Sequence, residues 1–458
     1  MREEKDSLGT FKIPDDAYYG VQTARAVENF PVSGIKADPD FIKASVLIKK
    51  TAAKVNAELN AIDKKISEAI IKAANEILEG KLLENFVVDI YQAGAGTSHN
   101  MNTNEVLANR AIEILGGKRG DYKLVSPNDH VNCAQSTNDF FPTAIRLGAL
   151  IKSRDLLLSL DACSESLAKK GKEFFTIIKA GRTHLQDAVP VRLGREFQAY
   201  SKIIQAHKIR IENALQELKI LGIGGTAAGT GLNAHPQYQI KIISELSKEL
   251  KTDLQPAQDL MVAMQSMAPF VSVSNAIKNL ALDLTKIAND LRLMDSGPTT
   301  GLSEIKLPAV QPGSSIMPGK INPSIVEMLN QVLFQVIGCS TTIEYCSQAG
   351  QFELNVMMPV INFNLLYSIK ILTNALNIWN EKCIKGIAAN KERCKKYAES
   401  SLSNVTALNS LIGYLKAAEV AKKVLATGKT IKEICLEESL VDKDKLEKAL
   451  DLEKQAGS

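Results

Sequence analysis

Long segments with apolar residues at helical spacing constrain this chain more than any other feature. FIKASVLIKKTAAKVNAEL from Phe41, TAIRLGALIKSRDLLLSLDACSESLAKK from Thr143 and SVSNAIKNLALDLTKIANDLRLM from Ser272 repeat apolar positions at steps of three and four. Several exceed the usual globular helix. Helices of that length bury their apolar stripes against one another, so the expected fold is mainly all-α, an extended helix bundle whose chains pack against those of other subunits. Strand signals are sparse, and GTFKIPDDAYYGV from Gly9 is the best candidate for a small sheet or an extended arm.

Turn residues divide the chain. Gly116-Gly117 to Pro127 separates an N-terminal region from the long helices, and Lys385-Gly386 to Asn390 precedes a Lys- and Glu-rich helical piece. The expected division is an N-terminal domain over 1–135, a central helix bundle over 136–388 and a small C-terminal helical domain over 389–458. No internal repeat or low-complexity segment interrupts it.

Composition removes several functions. A formal charge of +4 over 458 residues, with Lys and Glu interspersed, argues against a nucleic-acid partner. The charged start MREEKDSLG and the absence of a run of about 18–20 apolar residues argue against a membrane span and for a soluble, cytoplasmic protein. Seven cysteines, with no CxxC pair, read as reduced thiols, and Cys133 in HVNCAQSTND reads as structural. Five scattered histidines form no HExxH set and there is no GxxxxGK[ST] run, so neither a metal nor a nucleotide cofactor is expected. GIGGTAAGTG, Gly222 to Gly231, loosely matches a dinucleotide fingerprint but follows the helical pattern IENALQELKIL rather than a strand.

Four polar clusters remain: GAGTSHN (Gly94–Asn100), QSTND (Gln135–Asp139), GRTHLQD (Gly181–Asp187) and GSSIMPGKINP (Gly313–Pro323). Each is expected at or just ahead of a helix start, where unpaired N–H groups and the helix dipole favour an anion. Ordinary N-capping explains each cluster singly, and Asn322-Pro323 suits a cap followed by a first turn. Capping does not explain the cationic Lys320 beside two adjacent serines in a Gly-flanked loop, nor His184 immediately after Thr183.

GSSIMPGKINP resembles the signature loop of the aspartase/fumarase superfamily. The agreement extends through DAYYGVQTARAVENF, YQAGAGTSHNMNTNEVLANR, SPNDHVNCAQSTND, GRTHLQDAVPVRLGREF and QFELNVMMPVI, nearly the whole chain. The resemblance implies a homotetramer with a shared core of long helices and active sites built from three subunits. The spellings GAGTS, STND, SPNDHVN and DAYYGV lean towards loss of ammonia from L-aspartate to give fumarate, whereas GQFELNV and ALNSLIGY lean towards the fumarases. Loss of water from L-malate, a related dicarboxylate substrate and a catalytically silent relative are the alternatives.

By position, the resemblance makes Ser314 the catalytic base, on a loop that closes over substrate. It places Thr97, Ser136, Thr137 and Ser315 on the β-carboxylate, and Thr183, His184, Lys320 and Asn322 on the α-carboxylate. Asn138, with Thr97, falls near the departing amine. Glu327 matches a carboxylate that orients the histidine in fumarases, with a solvated or inter-helix charge as its other reading. Three departures stand out: Thr299 where the family's SGPR run has arginine, Cys339-Ser340 where it has Asn-Asp, and Leu411 where it has histidine.

Overall fold

The computed structural model describes residues 1–457. It opens with an antiparallel hairpin of β1 (Arg2–Asp6) and β2 (Gly9–Ile13). Helices α1 (Val21–Asn29), α2 (Pro39–Glu58), α3 (Lys64–Leu78), α4 (Thr97–Ile114) and α5 (Thr137–Glu173) come next. A second hairpin, β3 (Ile178–Thr183) and β4 (Gln186–Arg192), leads into α6 (Leu193–Leu218), α7 (Tyr238–Leu250), α8 (Leu260–Gln265), α9 (Ala268–Asp295), α10 (Ser324–Gln348) and α11 (Met358–Lys382). Six shorter helices finish the chain: α12 (Lys391–Ser400), α13 (Asn409–Ile412), α14 (Tyr414–Thr427), α15 (Ile431–Glu437), α16 (Lys443–Ala449) and α17 (Leu452–Gln455).

The mainly helical expectation holds. The three periodic runs fall in α2, α5 and α9, of 20, 37 and 28 residues. GTFKIPDDAYYGV supplies β2 as expected. GRTHLQD departs from expectation: it begins no helix and forms the tip of the β3–β4 hairpin, with Thr183 opposite Gln186. The two tip residues, His184 (φ +54°) and Leu185 (φ +58°), are both left-handed, as a tight type I′ turn requires. That turn favours Asn-Gly or Asp-Gly, and His-Leu carries no such signature.

The chain forms two compact units, each drawn from separate stretches. The first comprises Met1–Leu157, Ile209–Ala281 and Phe334–Thr373. Its N-terminal core packs Ile42, Val46 and Ala53 of α2 against Ile70, Ala73 and Ile77 of α3 and Val106, Leu107 and Ala111 of α4. The second comprises Leu158–Lys208, Leu282–Leu333 and Asn374–Ser458. Within it a small separate core joins Leu408, Val420, Ile434 and Leu446.

Helix α4 is enclosed on nearly every side. Fourteen of its eighteen residues are buried, and many of them are polar. Such burial is tolerable only where the polar atoms find partners. Asn102 accepts from Val87 N and donates to Asn85 O. Asn109 donates to Tyr18 O and accepts from Gly120 N. Glu105 accepts from Gly20, Gln22 and Thr23 N–H groups and the Thr23 hydroxyl, so its carboxylate seats the N-terminus of α1. Burial nonetheless pushes its pKa up to about 7.

Gly96, with φ +88°, precedes α4, and a Cβ there would lie 2.1 Å from two ring carbons of Phe141 in α5. The starts of α4 and α5 therefore abut closely. Gly96→Ala combines left-handed strain with a clash against a buried ring, and we expect a loss of about 2–4 kcal/mol of stability. Urea unfolding measures it, and a loss under about 1 kcal/mol contradicts this account of the close approach.

No helix among the described residues is long and apolar enough to cross a membrane.

Candidate active site

The residues singled out in the sequence fall on both units. The first unit carries Thr97, Ser136, Thr137 and Asn138 at two neighbouring helix starts. Thr97 is exposed as the first residue of α4. Ser136 stands just ahead of α5, and its Oγ accepts from Asn138 N at 3.2 Å, leaving its own proton available to a ligand. Asn138 donates from Nδ2 to Ala227 O at 2.8 Å, which reserves its Oδ1 as an acceptor. Thr137 Oγ1 accepts from Asn100 Nδ2 at 2.9 Å, tying the two starts together.

Asp139 holds this arrangement. Its Oδ1 accepts from Ser136 N at 2.9 Å, while Oδ2 accepts from Gly224 N and Thr226 N at 2.9 and 3.0 Å. The glycine-rich run Gly222–Gly231 is therefore a clamp on the first turn of α5, with backbone N–H groups gripping a buried carboxylate. Burial pushes the Asp139 pKa up to about 6 against those donors and the Lys49 charge. Lys49 of α2 is fully buried, donates to Asn132 Oδ1 at 2.9 Å and lies 4.0 Å from the Phe140 ring centroid. Burial holds its pKa well below the usual lysine value, with Asp139 pulling the other way.

The second unit carries the remaining positions. Thr183 and His184 are exposed at the β3–β4 tip. Beneath that hairpin, Glu304 is fully buried between Arg182 Nη1 at 2.8 Å and Lys179 Nζ at 3.0 Å. The pairing anchors the strand that presents His184. Among the described residues no hydrogen bond joins Thr183 or His184 to the Ser314 loop or to Glu327.

Ser314, Ser315, Lys320 and Asn322 share one exposed loop ahead of α10, and Glu327 lies in the first turn of that helix. Ser314 Oγ accepts from Met317 N at 2.9 Å and Ile316 N at 3.2 Å. Asn322 does not cap α10 as expected: its Nδ2 donates back to Gly313 O at 2.6 Å, and Gly313 N donates to Lys320 O at 2.9 Å. The side chain closes the loop into a ring instead. A Cβ on Gly313 would sit 2.4 Å from Lys320 O, so only glycine permits the closure. The loop walls a recess of about 420 Å³ lined by Gly313, Ser314, Met317 and Lys320.

The departures have local consequences. The segment with Thr299 comes directly after a cis Gly297-Pro298 bond, and Arg393 Nη2 donates to Pro298 O at 3.1 Å. Cys339 is buried and Ser340 donates to Asn275 Oδ1 at 3.3 Å, while Leu411 is exposed.

Sequence reasoning assigned no role to Asp139, Lys49, Asn100 or Asn132. One signal was available, since Lys49 shares the apolar stripe of α2 with Ile42, Val46 and Ala53, where a lone charge needs a partner. His99, also in GAGTSHN, is a core residue. It bonds Ser45 Oγ through Nε2 at 2.9 Å and packs among Phe41, Phe86 and Phe141; burial and then the Lys49 charge push its pKa down to about 3. No cluster of three or more His, Cys, Asp or Glu among the described residues could hold a metal ion.

The chain is similar to known proteins over nearly its whole length. The family described as "Lyase" matches residues 9–338, and that described as "Fumarase C C-terminus" matches residues 405–455. An aspartate ammonia-lyase from Bacillus sp. is 49% identical over 98% of this chain and 96% of its own length. That of Escherichia coli K12 is 46% identical over 98% of this chain and 94% of its own length. Among solved structures, a cobalt-bound fumarate lyase:delta crystallin from Brucella melitensis superposes with a TM-score of 0.96 at 45% identity, covering 100% of both chains. The class II fumarase of Schistosoma mansoni gives 0.97 at 36% identity, covering 100% of this chain and 99% of its own. With its signature loop, its helical architecture and relatives that match it end to end, the chain belongs to the aspartase/fumarase superfamily of lyases.

Proposed function

We infer that this protein is a carbon–nitrogen lyase that reversibly removes ammonia from L-aspartate to give fumarate. The observation that carries this is the near-complete match, at 46–49% identity, to relatives named aspartate ammonia-lyase, with the 36% match to a class II fumarase well below it. The reaction is an anti-elimination: a base takes the Cβ proton, the charge spreads into the adjacent carboxylate as a dianionic aci form, and ammonia leaves. Its hard step is the doubly charged carboxylate, which calls for preorganised donors.

The polar groups suit those tasks. The two N–H groups on Ser314 Oγ favour an alkoxide, the form in which a serine can act as base. Thr97, Ser136, Thr137 and Ser315 offer hydroxyl donors for the β-carboxylate. Thr183, His184, Lys320 and Asn322 serve the α-carboxylate, with Glu327 orienting His184. Asn138, its Nδ2 spent on Ala227 O, keeps an oxygen for the ammonium.

The same reading includes a cytoplasmic homotetramer whose sites draw on three subunits, and the division into domains 1–135, 136–388 and 389–458. Apolar side chains left exposed on the long helices support the assembly: Ile209 on α6, Leu282 on α9, and Phe334 and Tyr345 on α10 are 52–66% exposed in the single chain.

Incubating the purified protein with L-aspartate and, separately, with L-malate tests the function, with fumarate followed by its ultraviolet absorbance. Faster turnover of aspartate is expected. Faster turnover of malate reassigns the protein as a fumarase.

A further inference from the structure

The buried polar chain beneath Thr137 has a direction, and Lys49 sets it. Asn132 Oδ1 receives three donors: Lys49 Nζ at 2.9 Å, Asn100 Nδ2 at 3.2 Å and Asn104 Nδ2 at 3.2 Å. Asn132 Nδ2 in turn donates to Gln135 O at 3.1 Å. Lys49 Nζ donates to Asn132 Oδ1 while Asn132 Nδ2 donates to the Gln135 carbonyl, and together these bonds fix the carboxamide with its oxygen towards the lysine. That oxygen compels Asn100 to present its NH₂ side. The same NH₂ group then donates to Thr137 Oγ1 at 2.9 Å. With a lone pair of its oxygen engaged from beneath, the Thr137 hydroxyl proton is left free for an acceptor on the other side.

We propose that Lys49, Asn132 and Asn100 are positioning residues that orient the Thr137 hydroxyl as a hydrogen-bond donor to the substrate carboxylate. This rests on the placement of Thr137 at the β-carboxylate. Lys49 touches no substrate atom in this scheme. Its part is to make one of two amide orientations the stable one, which a neutral apolar side chain of similar length cannot do. Three of the four members are buried, Lys49 at 0%, Asn100 at 2% and Thr137 at 8% exposed, and Asn132 is half-buried. Inverting the hydroxyl would turn a donor into an acceptor facing a carboxylate, a repulsive contact where an attractive one is needed.

The test is a double-mutant cycle between Lys49→Met and Thr137→Ala in the full-length protein. It is read as kcat/KM for L-aspartate and, in parallel, as the affinity for succinate by calorimetry, which needs no turnover. Lys49→Met alone is expected to lower kcat/KM about 10-fold to 100-fold, the range for a hydrogen bond to a charged group. In the Thr137→Ala background it should cost less than about 3-fold more, because the hydroxyl it orients is gone. Asn100→Asp is the second variant, used also where Lys49→Met does not fold. It is isosteric, presents an acceptor to Thr137 and should show the same loss and the same non-additivity.

Losses that multiply in full indicate a packing role only and overturn the proposal, as does a Thr137→Ala variant with unchanged kcat/KM and succinate affinity. A wild-type protein that ignores aspartate but shows the non-additive cycle on succinate refutes the ammonia-lyase assignment and keeps the orientation scheme. A wild type that does neither refutes both.

Discussion

Ser314→Ala is expected to lower kcat on L-aspartate by about 10³-fold, within the range typical for losing a general base. The expectation comes from local geometry as well as from the family match. A serine hydroxyl is a poor base until its conjugate alkoxide is stabilised, and here the oxygen already accepts from Met317 N and Ile316 N. Those N–H groups are held by a loop that Asn322 and Gly313 tie closed, so they do not need to reorganise as charge develops. Alanine removes the oxygen and leaves the backbone ring intact, because none of the ring's bonds uses the serine side chain. KM should therefore change much less than kcat. Steady-state kinetics with circular dichroism as a folding control decides the matter, and a variant that keeps a tenth of wild-type kcat sinks the assignment of Ser314 as base.

Acid should destabilise the protein through His99, and His99→Phe should remove that component. The imidazole is neutral in the fold, with a pKa near 3 against 6.5 for the free side chain, chiefly because it is desolvated among aromatic rings. The folded pKa is depressed, so the unfolded chain binds more protons between these values. Stability is therefore present above about 6.5 and lost as the pH falls towards about 3. Between pH 7 and 4.5 the loss assigned to His99 is about 2–3 kcal/mol. Asp139 and Glu105 have raised pKa values and act with the opposite sign. Comparing wild type with His99→Phe cancels them, since both carboxyls remain in the variant. Phenylalanine leaves the Ser45 hydroxyl without its partner, which costs about 1 kcal/mol at every pH and does not alter the slope. Urea midpoints across that pH range provide the measurement. If His99→Phe loses as much stability on acidification as the wild type, the buried-histidine account is wrong.

Legibility differed by element for a physical reason. Periodicity located α2, α5 and α9 because a helix records its burial every three to four residues, within a window a linear reading can scan. The β3–β4 hairpin escaped because its two-residue turn uses His184 and Leu185 at positive φ, where ordinary turn chemistry would use Asn and Gly. Asn322 looked like a cap because local chemistry favours that role, but the Gly313 carbonyl, nine residues earlier, was the better acceptor once the loop had folded back.

What the sequence by itself determined was the helical class, the superfamily and the set of hydroxyl, amide and cationic side chains available for a dicarboxylate. These are written in local periodicity and in contiguous motifs. Only the tertiary structure decided how those side chains are held: Asp139 gripped by N–H groups 85 and 87 residues away, Lys49 turned inward to face Asn132, and the Glu304 ion pairs under the His184 hairpin. Each is a choice of partner by a buried polar atom. Such an atom must be satisfied by whatever the fold brings within about 3 Å, and no local pattern records which residue that will be.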